Sequence, residues 1–342
     1  MKDKTNIRIL TGDRPTGRLH LGHYVGSLKN RLKYQAQGAD VFIIIADYHT
    51  LTTKHSRDHI KAVQENAKEL VLDYLSVGID PQKTTIYLQS LVPQVAELNL
   101  FFEMLVSVNR LRRVPTLKEK VKESGKERVG EASFGLLGYP VLQAADILMV
   151  KANLVPVGKD QKSHIEITRE IAKTFNKTYE EVFPIPQALV EGELLPGIDG
   201  RPKMGKSLGN AIYLTDDSGT VKSKVMSMYT DPKRLHASDP GTVEGNPVFA
   251  YHRAFNSDKT EVAELEKRYR QGSVGDVAVK EKLYIALESF LKPIREERSK
   301  YEDQKKAIDE ILYNGTVRAI GEASLILKEV RDAMGLASAV VL

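Results

Sequence analysis

Histidine is scarce in this chain, eight among 342 residues, yet two of them sit three positions apart around a glycine in His20-Leu21-Gly22-His23. On a helix, positions i and i+3 share a face, so two imidazole N–H groups can converge on one anion. Gly22 leaves room there for a flat base to lie against the backbone. A second pair of basic groups stands in Lys203-Met204-Gly205-Lys206-Ser207. Two ammonium groups on a glycine-bearing loop suit closure over a polyphosphate, where they balance charge developing on a leaving pyrophosphate. Either stretch alone could be ordinary solvated surface. A third feature is a carboxylate in apolar company, Asp146, flanked by Ala144, Ala145, Ile147 and Leu148. Such a group is at least half-buried and needs a hydrogen-bond partner.

The surrounding pattern says what must position these groups. Strand-like runs at 7–10, 41–46, 84–90 and 154–157 alternate with helical stretches over about 20–37, 56–78, 94–113, 134–150 and 163–175. That is βαβα order, which predicts an α/β fold with a doubly wound parallel sheet. In such sheets ligands sit beyond the carboxyl ends of the strands, and His20 falls at the first turn after the first strand, the anion-binding end of a helix. A Gly/Pro-rich break over 195–210 carries the lysine pair, and beyond it the chain reads as helical. Asp276 is expected to cap a helix that stops at Pro293, a charged helix follows from about 294, and Asn314-Gly315 is expected to turn into a last helix over 316–334.

Composition narrows the chemistry. The chain has no cysteine, which excludes disulfides, thiolate nucleophiles and cysteine-held zinc or iron–sulfur centres. The longest apolar run, 41–46, is far too short to span a bilayer, and 1–4 leads into a strand without a signal-peptide core. The expectation is therefore a cytoplasmic protein with no membrane association. Net charge is +5, and the stretch from Arg110 to Arg128, with eight Lys or Arg against three Glu, has the same excess. A polyanion such as RNA would be drawn to it, although a solvated loop with internal ion pairs accounts for the charge pattern equally well.

Taken in order and spacing, the two basic signatures resemble the HIGH and KMSKS sequences of class I aminoacyl-tRNA synthetases. The stretches "TGDRPTGRLHLGH", "DYLSVGIDPQKTTIYLQS", "YPVLQAADIL", "LVPVGKDQKSHIEITREIAKTFN" and "MSMYTDP" are similar to the bacterial tryptophanyl branch, in its second, divergent subtype. The resemblance implies a Rossmann-like catalytic domain over 1–207, a smaller all-helical domain over 208–304 on the tRNA anticodon side, and 305–342 folding back on the catalytic domain. It implies catalytic roles for His20, His23, Lys203 and Lys206. The ATP site would hold Asp13, Arg14, Gly22, His23, Gly158, Asp160, Lys203, Gly205, Lys206 and Ser207. The tryptophan pocket would hold Gly12, His49, Tyr139, Gln143, Asp146, Val155, Val157 and Gln161. Asp146 would accept the indole N–H, a sensible arrangement because indole offers one donor and no acceptor.

The same resemblance implies tryptophan–tRNA ligation with ATP, Mg²⁺ held mainly by the phosphates, tRNA(Trp) as partner and a homodimer, with no metal bound by the protein's own side chains. Three positions depart from the common bacterial pattern: Gln143 where methionine is usual, Lys159 where glutamate is, and Gly205 where serine is. Tyrosyl-tRNA synthetases share the fold and both signatures, but they commonly place a tyrosine on the first strand, and "RILTGD" has none. A synthetase-like protein that binds RNA or adenylate without aminoacylating is a further alternative, against which the intact "HLGH" and both lysines speak.

Overall fold

The computed structural model describes residues 7–336, apart from 54, 124, 126, 159, 160, 193, 232, 233, 235 and 237. Strand β1 (Arg8–Asp13) leads into α1 (Leu21–His23), a π-helical turn (Tyr24–Leu28) and α2 (Lys29–Ala36), followed by β2 (Asp40–Ile45), α3 (Asp47–Leu51), α4 (Arg57–Ser76) and β3 (Thr84–Leu88). Helices α5 (Gln94–Glu103), α6 (Val108–Leu111), α7 (Pro115–Glu123) and α8 (Phe134–Leu148) cross to β4 (Leu154–Val157), then come α9 (Lys162–Thr178) and β5 (Gln187–Val190). The remainder is α10 (Ser218–Met226), α11 (Pro247–Phe255), α12 (Lys259–Arg270), α13 (Asp276–Glu302) and α14 (Lys305–Ala333). None of the described helices is long and apolar enough to cross a membrane.

All five strands pair in parallel, in the order β3-β2-β1-β4-β5. Alternate side chains leave the sheet on opposite faces. Ile9, Val41, Ile43 and Ile45 enter a core shared with α4 and with α10 to α13, while Leu10, Phe42, Ile44 and Tyr87 enter a second core with α5, α8 and α9. The central β2 is buried along nearly its whole length, as a strand covered on both faces must be. Strand order reverses between β1 and β4. These two strands match only at Ile9↔Leu154, so a crevice opens beyond that pair at the switch point.

The expected α/β class and the parallel sheet stand, with several boundaries corrected. β5 is a fifth strand with no counterpart in the sequence expectation. The helix expected over 94–113 is broken into α5 and α6, and that over 20–37 passes through a π-turn. Asp276 does not cap α13: its carboxylate instead pairs with Arg234 at 3.0 Å and accepts a bond from Tyr269 at 2.7 Å. Pro293 does not stop α13, and Asn314-Gly315 is not a turn but lies inside α14. The burial of Leu287, Leu291 and Ile294 outweighs the missing bond and ring clash of a helical proline. Gly315 is needed for contact rather than for bending, since a Cβ there would lie 1.9 Å from the Ile86 carbonyl oxygen on β3.

Helix α14 supplies Ile308 and Leu312 to one core and Ala319, Ala323, Ile326 and Val330 to the other. It therefore crosses the open edge of β3. Arg318 reaches Asp40 at 2.7 Å and the Thr85 hydroxyl at 2.5 Å, Arg8 reaches Glu322 at 2.8 Å, and Lys151 reaches Glu329 at 2.6 Å.

Candidate active site where β1 and β4 part

A cleft of about 570 Å³ occupies the switch point. Its walls include Gly12, Asp13 and Arg14 from the end of β1, His23 from α1, and Val155, Val157 and Gly158 from β4. Across it stand His49, Tyr139, Gln143 and Asp146, with Gln161 at the start of α9 and Lys203 and Lys206 at the mouth. The structure thus brings to one place most of the residues singled out from the sequence. His20, Gly22, Gly205 and Ser207 do not line it, and Asp160 lies outside the described residues, as does Lys159.

The histidine pair is arranged one behind the other. His20 is 6% exposed, its ring 3.8 Å from that of His23 and edge-on to Tyr213, so His23 alone faces the cleft. The His20 N–H donates to His23 Nδ1 at 3.1 Å, which leaves the His23 proton on Nε2 as a donor. Burial, aided by the partner histidine and both lysines, holds His20 down to about 3. Burial likewise holds His23 down to about 4 against the pull of Asp13. Both are neutral donors at ordinary pH. A Cβ on Gly22 would come within 3.0 Å of the His20 ring and 3.4 Å of Met204 Cβ, so this glycine is fixed by the packing of the two signatures on each other.

The backbone joins the signatures as well. Leu21 donates to Ile212 O at 2.9 Å and Leu214 to Leu19 O at 3.0 Å, an antiparallel bridge just after the lysine loop. Lys206 bonds the Gly17 carbonyl at 2.6 Å, and burial lowers its pKa against the opposing Asp13 and Asp73. Asn210 braces the loop from behind, its Oδ1 accepting the Gly205 N–H at 2.9 Å while its Nδ2 donates to Asp199 at 2.9 Å. At the floor, burial would raise Asp13, but Arg31 at 2.7 Å, His23 and the Tyr74 hydroxyl at 2.8 Å prevail and bring it down to about 2.

The closed end of the cleft is built around Asp146, 3% exposed. Its Oδ2 lies 2.9 Å from His49 Nε2, and Gln89 Nε2 lies 2.9 Å from each oxygen. Burial raises the carboxyl, and the bonds from His49 and Gln89 oppose that. Gly12 sits opposite Ile44, where a Cβ would meet the Ile44 carbonyl at 2.1 Å. The Tyr139 hydroxyl is 2.7 Å from His164 Nε2 and 3.0 Å from Thr116 Oγ1, and the Lys120 ammonium stands 3.9 Å above its ring. One end therefore offers a buried acceptor in an apolar slot, the other a set of N–H donors and cations. No group of three or more His, Asp or Glu among the described residues could hold a metal ion.

A family model for class I tRNA synthetases (W and Y) matches residues 1–292. The chain belongs to this family. It is 55% identical over 333 residues to the tryptophan–tRNA ligase of Treponema pallidum, covering 97% of this chain and 98% of that protein. It is 54% identical over 331 residues to that of Borreliella burgdorferi, covering 96% and 93%. Among solved structures, it superposes with a TM-score of 0.84 on the tryptophanyl-tRNA synthetase of Campylobacter jejuni complexed with ADP and tryptophan, at 35% identity over 96% of this chain and 100% of that one.

In this class I synthetase the cleft also contains residues that sequence reasoning missed: Arg31, Thr116, Glu119, Lys120 and Glu191. Gln89, behind Asp146, was missed too. Gln89 follows β3 directly, so the rule that ligands gather at strand carboxyl ends could have found it. Lys120 was noticed only as one charge in the basic stretch from Arg110 to Arg128, and nothing local marks Arg31.

Proposed function

We propose that the cleft activates L-tryptophan with ATP and passes it to tRNA(Trp), as a tryptophan–tRNA ligase. The observation that carries this reading is the two-ended cleft: a buried carboxylate held by His49 and Gln89 at one end, and His23, Lys203 and Lys206 at the other. Asp146 accepts the indole N–H in a slot lined by Gly12, Val155 and Val157, with Gln143 beside it. Tyr139 and Gln161 face the amino-acid ammonium. The tryptophan carboxylate attacks the α-phosphorus of ATP, the bond to the bridging oxygen breaks, and pyrophosphate leaves. His23 Nε2–H and the two lysines meet the charge that grows on the phosphates. Gly158 and Asp160 hold the ribose side, Arg14 and Asp13 border the nucleotide, and Gly205 and Ser207 shape the closing loop. A terminal ribose hydroxyl of the tRNA then attacks the aminoacyl carbon and releases AMP.

Mg²⁺ carried with ATP would add positive charge at the phosphates, which would be its main ligands. Asp13, a cleft carboxylate at that end, is already engaged by Arg31 and Tyr74. The helical region 208–304 serves the anticodon side of the tRNA, 1–207 is the catalytic domain, and 305–342 braces it. The chain would pair as a homodimer, which sedimentation would test; Leu91, Leu100, Met104 (69%) and Phe134 (68%) are among the exposed apolar side chains available to a partner. The enzyme works in the cytoplasm.

The deciding experiment is ATP–pyrophosphate exchange with each amino acid, expected with tryptophan and absent with tyrosine. Because the chain contains no tryptophan, indole emission reports ligand alone. Asp146→Ala is expected to weaken binding by about 1–3 kcal/mol, roughly 5- to 150-fold, by leaving a buried N–H without an acceptor. Exchange with tyrosine, or full tryptophan affinity in Asp146→Ala, would overturn the assignment or the role of Asp146 respectively.

A further inference from the structure

The first signature is gripped from outside the cleft by a carboxylate that plays no part in the chemistry above. Asp73 on α4 has no exposed surface. Its Oδ2 accepts the Leu19 N–H at 2.7 Å, and its Oδ1 receives Arg298 Nη1 at 2.5 Å. Arg298 comes from α13, more than two hundred residues away. Its remaining donors reach Glu69 at 2.6 Å and Glu302 at 2.9 Å, both partly exposed. The next residue on α4, Tyr74, holds Asp13. Adjacent residues of one helix thus hold the two ends of the loop 13–19, whose Gly17 carbonyl anchors Lys206 and whose far end continues into His20 and His23.

We propose that Arg298 is a positioning residue for the nucleotide end of the active site, acting through Asp73 on the Leu19 N–H to fix the backbone from which His20 and His23 project. A carboxylate with no solvent contact keeps its charge only if a cation faces it. Burial raises Asp73 to about 6 even with Arg298 and the Leu19 N–H opposing, so little margin remains if the guanidinium is removed. A neutral acid is a weaker acceptor, and the Leu19 amide would be released. If stapling α13 to α4 were the whole purpose, Glu69 would suffice. The third arm instead ends on a carboxylate that touches the signature backbone.

This inference rests on the cleft being the nucleotide site, and the test separates the two. Arg298→Met and Arg298→Lys are compared with the parent by amide hydrogen exchange at Leu19, by steady-state pyrophosphate exchange, and by tryptophan binding without ATP. Arg298→Met is expected to lose Leu19 protection and to lower kcat/KM for ATP roughly ten- to a hundredfold, while tryptophan affinity stays at the parent value. Arg298→Lys is expected to fall between, and it carries the test alone if the methionine variant does not fold. Adding Asp73→Asn to Arg298→Met, which leaves a neutral acceptor as the protonated acid does, is expected to add little to either loss. Glu302→Gln, at the outer arm of the same guanidinium, is expected to change neither. Unchanged Leu19 protection, an equal loss of tryptophan and ATP affinity, or the same defect in Glu302→Gln would overturn the proposal. A parent without tryptophan-dependent exchange would instead sink the functional reading, and Leu19 protection in the variants would still decide this one.

Discussion

His20 and His23 enter the fold as neutral rings, and that sets a pH signature. Burial, the chief cause, lowers His20 from the usual 6.5 to about 3 and His23 to about 4. Below about 6.5 the unfolded chain binds protons that the folded one refuses, so these two groups make stability fall as pH drops through 4 and towards 3. Asp73, raised to about 6, acts in the opposite sense between its own two values, one group against two. Thermal melts of the parent and of His20→Asn between pH 7 and 4 isolate one member of the pair: the variant is expected to lose less stability over that interval. Equal losses would mean that His20 is charged in the fold. Gly205 bears on the other signature. Its φ of −154° is open to any residue, and a Cβ would meet only the Leu208 side chain at 3.4 Å. Gly205→Ser is therefore expected to leave stability within about 0.5 kcal/mol. Adenylate formation should be no slower, since the hydroxyl adds a donor near the phosphates. A slower variant would show that the glycine is needed for loop movement. The signature residues were legible because their types and spacing carry the chemistry. Their holders, Arg31, Tyr74 and Gln89, were not, because each acts across a long sequence separation that no local pattern records.

At the level of elements, the basic stretch read from sequence divides in three. Arg110 is taken up by Glu170, with two bonds of 2.7 Å, and Lys120 on α7 turns inward over Tyr139. Arg112, Arg113 and Lys118 face solvent. If this outer set meets the RNA backbone, neutralising all three by Gln substitution is expected to weaken tRNA binding and reduce the slope of its salt dependence by up to about three counterions, with pyrophosphate exchange spared. Equal tRNA affinity at several salt concentrations would return the stretch to ordinary surface. The alternation of strands and helices was legible because burial on both faces of a parallel sheet leaves plain apolar runs. β5 was not: its Gln187-Ala188-Leu189-Val190 is short, half-exposed and at the sheet edge, so it carries little apolar signal. Pro293 and Asn314-Gly315 misled for the opposite reason, since local breaker chemistry was overridden by packing along α13 and α14.

For the molecule as a whole, α14 is the piece that finishes the sheet. Gly315→Ala is expected to destabilise by about 1–3 kcal/mol through overpacking against Ile86, despite the roughly 1 kcal/mol that alanine gains over glycine within a helix. Denaturant titration would measure it, and a variant as stable as the parent would show that α14 can shift off β3 without cost. The same contact has a consequence in time. Thr85 and Arg318, which bond across it, are 233 positions apart. During synthesis all five strands emerge while the rim of β3 still shows its unpaired backbone groups, and they remain open to another strand until α14 has been made. A ribosome paused before α14 emerges would leave a nascent chain whose sheet is assembled but sticky along one side. The final helix therefore acts as the closing stitch of folding, and the speed of translation across α10 to α13 sets how long a chaperone must guard that rim.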